Sequence, residues 1–143
     1  MDFSYVLYLT KDNRSTNIYY INNKTININK LINQVLDDFC YPSLSTFEGR
    51  IKSIKHIYNI NTYIPVYISE DIILQPLYPK KSWQQIYVNV PLIKDTIKNN
   101  NNTIIKFIDD SFLNVDISYT KMNKLISQCH LIKNNQIRKK GII

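Results

Sequence analysis

The spacing of apolar and polar positions changes period twice along the chain. "FSYVLYL" and "NIYYINNKTINI" are short runs rich in β-branched and aromatic residues, which predicts strands. The polar stretch from Thr10 to Thr16 separates them, and Asn22-Asn23 predicts a hairpin turn. The period then becomes helical. Ile28, Leu31, Ile32, Val35, Leu36 and Phe39 fall on one helix face. Asn29 is the expected N-cap. Cys40-Tyr41-Pro42 is the expected end, because the residue before a proline avoids the helical region. A second amphipathic helix follows in "SLSTFEGRIKSIKHIYN", with Leu44, Phe47, Ile51, Ile54 and Tyr58 on one side. Ser43 or Ser45 is expected to cap it, Glu48 completing a capping box with Ser45. Gly49 inside a helix costs about 1 kcal/mol against alanine, so either something packs close to it or the helix starts late.

From Ile60 the period returns to two. "YIPVYIS", "DIILQPL", "QQIYVNV", "TIIKFID" and "FLNVDIS" read as short strands, separated at Ser69-Glu70-Asp71, Tyr78-Pro79-Lys80-Lys81 and Asp109-Asp110-Ser111. "PLIKDTIKNNNN" adds a strand or a loose turn. "SYTKMNKLISQCHLIK" predicts a third helix that buries Met122, Leu125, Ile126 and Cys129, and "NNQIRKKGII" a frayed tail. There is no internal repeat and no long linker. The fold class expected is α+β: one β-rich domain of short, mainly antiparallel strands with two or three amphipathic helices. It divides into N-terminal strands (1–28), a helical segment (29–59), a β-rich part (60–118), a C-terminal helix (119–133) and a basic tail (134–143). Trp83, the sole tryptophan, opens a strand after a turn and is expected in the core beside the strands from Ile64 to Leu77.

Composition changes the picture in two ways. The chain holds 25 isoleucines, 18 asparagines, 15 lysines and 11 tyrosines but no alanine, a bias that A/T-rich codons explain and that removes the best helix former. The net charge is +7, and after Asp116 no acid follows while Lys121, Lys124, Lys133, Arg138, Lys139 and Lys140 do. That charge suits nucleic acid, an anionic membrane surface, or no special partner. No apolar run approaches the roughly 18 residues of a membrane helix, and "MDFSYVLYLTKDN" does not read as a signal peptide. The expected setting is the cytoplasm, with Cys40 and Cys129 as reduced thiols that hold no metal; the sequons at Asn13, Asn23 and Asn101 mean nothing there.

Catalytic chemistry finds no support. Two isolated glycines make no phosphate loop, adjacent Cys129-His130 lacks zinc-ligand spacing, and Glu70-Asp71 and Asp109-Asp110 sit in turns where acids are routine. No enzyme activity and no cofactor are expected. The candidates for a phosphate-tracking surface are Arg50, Lys52, Lys55 and His56 on the second helix, Lys80 and Lys81 in a turn, and Ser118, Lys121 and Lys124 around the third helix. The same residues also fit an ordinary solvated face.

The order of elements carries a resemblance. In "FCYPSLSTFEGRIKSIKHIYNINTYIPVYISEDIILQPLYPKKSWQQIYVNV" a cysteine-bearing helix precedes an aromatic and a Gly-Arg pair (Phe47, Gly49, Arg50). A basic stretch then runs to Pro65 and a strand, followed by "ILQPLYP", Trp83, a "VNV" strand and "LNVDISY". Over roughly residues 28 to 133 this resembles the bacterial competence transcription factor family, ComK. The resemblance implies a DNA-binding activator of DNA-uptake genes that recognises A/T-rich boxes in double-stranded DNA through the minor groove. It also implies action as a homo-oligomer in the cytoplasm, at the nucleoid. Members of the family extend further at the C-terminus, so the chain is expected to be a short, divergent member. The alternative is a ComK-like interaction protein that modulates a true activator without binding DNA strongly. A weaker likeness, from Trp83 to Ile126, is to LytTR-type DNA-binding domains; the arginine that often follows their serine is missing at Ile117-Ser118-Tyr119, so no base-reading role is carried over.

Overall fold

The computed structural model describes residues 3–141. Strands β1 (Val6–Asp12), β2 (Ser15–Tyr20) and β3 (Thr25–Ile28) form an antiparallel meander. Helices α1 (Ile32–Cys40) and α2 (Phe47–Tyr58) follow, then β4 (Val66–Ser69), β5 (Ile72–Pro76) and β6 (Ile86–Asn89). These six strands make one antiparallel sheet, ordered β3-β2-β1-β6-β5-β4. A second sheet holds β7 (Ile93–Asn99), β8 (Asn102–Phe107) and β9 (Phe112–Val115) in sequence order, and α3 (Tyr119–Gly141) closes the chain.

The six-stranded sheet is buried on both faces at β5 and β6, which is why β6 reads as an unbroken buried run. On one face Val6, Leu9, Ile18, Leu74 and Tyr87 pack against Val35, Leu36 and Phe39 of α1. On the other, Leu7, Leu77 and Val88 meet Ile105, Phe107 and Val115 of the second sheet and Met122 and Leu125 of α3. A third cluster joins Ile54 of α2 to Cys129 and Ile132 of α3 beside Tyr67 and Ile73. Its rim is polar: the Tyr58 hydroxyl donates to Asn135 Oδ1 (2.7 Å) and accepts from Gln136 Nε2 (2.7 Å).

With two glycines to spend, the chain makes its turns from asparagine. Asn13, Asn22, Asn23, Asn59, Asn100 and Asp110 all take positive φ, the region that Asn and Asp visit more readily than other side chains. Leu44 and Tyr63 also take it, at φ 58° and 51°.

Four local expectations are corrected. Helix α1 starts after Leu31, not at Asn29; Gln34 accepts a hydrogen bond from the Leu31 N–H (3.1 Å), which closes the first turn. Thr46, not Ser43 or Ser45, caps α2 by accepting from the Gly49 N–H (3.0 Å). Gly49 therefore lies in the first turn, and a Cβ there would sit 3.1 Å from the capping Thr46 hydroxyl. The tail expected to fray continues α3 as helix through Gly141, while residues 142–143 lie outside the described residues. Trp83 is not in the core but 85% exposed, in the loop between β5 and β6. The buried run begins two residues later, at Gln85.

Candidate nucleic-acid interface

The nine residues singled out by sequence fall into two groups. Arg50, Lys52, Lys55 and His56 all lie on α2. Lys52 pairs with Glu48 (3.3 Å) across one turn, and Lys55 and His56 are exposed. Arg50 is turned inward. Its Nε donates to Ser45 Oγ (2.8 Å) and its Nη1 to the carbonyl of Tyr67 in the edge strand β4 (2.9 Å). The guanidinium thus ties the start of α2 to the sheet, leaving three of its five N–H groups without a partner among the described residues.

The second group gathers at one end of the six-stranded sheet. There β5 leaves for Lys80 and Lys81, β4 begins, and α3 starts. Ser118 accepts from the Lys121 N–H (3.2 Å) and caps α3. Lys121 Nζ donates to the Tyr63 hydroxyl (2.7 Å) and sits 3.9 Å from that ring's centroid. The left-handed backbone of Tyr63 is held by Gln75, a buried side chain whose Nε2 donates to the Tyr63 carbonyl (2.8 Å). Tyr63, Ser118, Lys121, Lys124, Leu125 and Gln128 line one open cleft. The positive end of the α3 macrodipole opens into it with no acid in the first turn.

Two further cations join this end. Because β1 pairs with β6 through Thr10↔Ile86, and the Lys11 N–H donates to the Gln85 carbonyl (3.0 Å), the β1–β2 turn stands beside the β5–β6 loop. Lys11 and Arg14 on that turn are exposed. Six cations therefore share one end: Lys11, Arg14, Lys80, Lys81, Lys121 and Lys124. Asp12 and Asp116 are the nearby acids by chain position, and among the described residues none of the six forms an ion pair. Lys11 and Arg14 carry no sequence signal, since only the long-range β1–β6 register brings them in. The α2 group stands apart. Tyr58 at the end of α2 meets Asn135, fourteen residues along α3 from Lys121, or about 21 Å of helix.

The two thiols are inert. Burial pushes Cys40 up to about 11 despite the Arg50 charge beside it, and pushes Cys129 up to about 12. Both are buried and free, and Cys129 Sγ donates to Gln75 Oε1 (3.2 Å). Among the described residues no group of three His, Cys, Asp or Glu side chains is placed to hold a metal ion, and no helix is long and apolar enough to cross a membrane.

The family model described as ComK protein matches residues 6–140, nearly the whole chain. The chain therefore belongs to the ComK family, a family of competence transcription factors, and not to a family of enzymes. No curated protein and no solved structure matches it.

Proposed function

We propose that this ComK-family chain is a DNA-binding activator of competence genes that recognises A/T-rich boxes. The observation that carries the reading is the set of six cations at one end of the six-stranded sheet, none in an ion pair among the described residues. Cations left unpaired on rigid elements suit phosphates, which release counterions when neutralised. Ser118 and the first N–H groups of α3 suit a phosphate oxygen at the helix end. On α2, Lys52, Lys55 and His56 form a second cationic face, with Lys52 also paired to Glu48. Arg50 serves that face as a strut, holding α2 on β4.

Assembly as a homo-oligomer has its own support. The outer face of the second sheet is uncovered: Ile97 lies opposite Ile104, and Phe112, 59% exposed, lies diagonal to it. We place the protein in the cytoplasm, at the nucleoid. The experiment is a fluorescence titration of A/T-box and G/C-box duplexes against salt. Preference for the A/T box is expected, with log K falling about 5 units per unit of log salt if all six cations meet phosphate. Lys80→Ala with Lys81→Ala should flatten that slope by about 1.8. Equal binding to both duplexes removes the A/T reading. Absence of salt-dependent binding removes the DNA reading and leaves a ComK-like protein that works through other proteins.

A further inference from the structure

We propose that Trp83 is a wedge that inserts between base pairs of the bound duplex and unstacks one step. The inference rests on the DNA-binding reading and names the side chain that would meet the bases. Its starting point is the exposure of the chain's only tryptophan, 85%, on a loop that is built rather than slack. The buried Gln85 side chain closes the loop at its base. Its Oε1 accepts from the N–H groups of Tyr78 and Ile86 (both 3.1 Å), and its Nε2 donates to the Tyr78 carbonyl (3.0 Å). Within the loop the Ser82 N–H donates to the Pro79 carbonyl (2.9 Å), and the Gln84 N–H donates to Ser82 Oγ (3.2 Å). Pro79 fixes one backbone angle besides. The ring is therefore presented without a large ordering cost on binding.

The charges around it choose the partner. Lys80 and Lys81 precede it on the loop, and Lys11 and Arg14 stand on the adjoining turn, with Asp12 the acid among them. An indole on a loop with two lysines, beside a turn that carries two more cations, suits a polyanion with apolar, stackable interior faces, which describes duplex DNA. Proteins that kink DNA from the minor groove insert apolar side chains between base steps while basic and polar side chains read the groove. The steps that part most readily are TA and CA/TG, so a wedge favours A/T-rich sites without reading any base edge. One aromatic on a polar tip lacks the broad apolar face of a membrane-surface helix.

The test uses the sole tryptophan as its own reporter and a duplex with 2-aminopurine, an adenine analogue that brightens when unstacked, inside the A/T box. Wild type should quench Trp83 emission and brighten the analogue. Trp83→Ala should bind about 5- to 150-fold more weakly, the range for loss of one base–aromatic stack, and should not brighten the analogue. Its salt slope should be unchanged, because no charge is lost. Trp83→Phe should recover part of both signals. If anisotropy shows a complex but Trp83→Ala binds within about twofold of wild type and brightens the analogue equally, the wedge falls and the DNA reading stands. A blue shift of Trp83 on anionic vesicles but not on duplex, or a changed sedimentation coefficient for Trp83→Ala, would assign the residue to a membrane or a protein contact and overturn the wedge. If wild type forms no salt-dependent complex with any duplex, both readings fall together.

Discussion

Replacing Arg50 separates its role in the fold from a role on DNA. In Arg50→Ala two charge-assisted hydrogen bonds disappear, to Ser45 Oγ (2.8 Å) and to the Tyr67 carbonyl (2.9 Å). Hydrogen bonds to charged groups contribute about 1.5–3 kcal/mol each when well buried. Arg50 is only half-buried, so the lower end applies and the expected loss is about 2–3 kcal/mol. For a chain of this length each kcal/mol moves the melting temperature by about 3 °C, which gives a fall of about 6–9 °C. Arg50→Lys keeps the charge but not the fork, and one ammonium cannot reach both acceptors as the planar guanidinium does; it should recover less than half of the loss. The assay is thermal melting by circular dichroism, followed by duplex titration well below the lower melting point. Folded Arg50→Ala should bind A/T boxes with a salt slope within about 0.5 of wild type, less than the 0.9 expected for one lost phosphate contact. A variant that melts within about 1 °C of wild type and binds A/T boxes tenfold more weakly would refute the strut, and Arg50 would then be a reader.

Other perturbations give equally definite outcomes. Thr46→Ala removes the α2 cap and should cost about 1 kcal/mol in urea unfolding, with binding unchanged once folded. Gln85→Leu leaves the Tyr78 N–H and carbonyl without their partner and should cost about 2–3 kcal/mol, while fluorescence anisotropy shows Trp83 becoming more mobile. Lys52→Ala with Lys55→Ala should flatten the salt slope by about 1.8 if α2 meets phosphates, and leave it unchanged if that face is merely solvated. Alkaline pH should destabilise the fold. Burial raises both thiols above their usual 9.0, to about 11 for Cys40 and about 12 for Cys129. The unfolded chain thus releases those protons first, so stability is intact below pH 9 and falls as pH rises toward 11–12. The loss should reach roughly 1 kcal/mol per thiol by pH 10, and Cys129→Ala should flatten the curve measured by urea unfolding.

Local patterns revealed the elements because each element's period is a local property. The i, i+3, i+4 spacing from Leu31 to Phe39 found α1, and Asn22-Asn23 found a turn in which both residues take φ near 63°. Helix starts are ambiguous in the sequence because several polar residues compete to cap. Asn29 and Ser45 are as good in isolation as Thr46, and only the position of the following N–H decides. The fraying expected of the tail came from its polarity, whereas α3 is already committed by the burial of Met122, Leu125, Cys129 and Ile132, and the tail continues it. The candidate interface was legible in part. Lys80, Lys81, Ser118, Lys121 and Lys124 could be nominated from charge and position. Lys11 and Arg14 could not, since the β1–β6 pairing that brings them there spans most of the chain.

Trp83 shows why composition misleads at a single position. A lone tryptophan is a strong prior for a core residue, because burying so large a ring contributes more than burying any other side chain. The prior fails here for a geometric reason. The β5–β6 connection must cross the sheet end between Leu77 and Ile86, and Gln85 satisfies the backbone at its base, so the core at that end is closed by Leu77 and Ile86 themselves. The ring is carried out on the loop with Lys80 and Lys81. An exposed ring adds little to the stability of the fold, and the proposed wedge gives it a contribution outside the monomer, where Lys80 and Lys81 on the same loop suit an anionic partner.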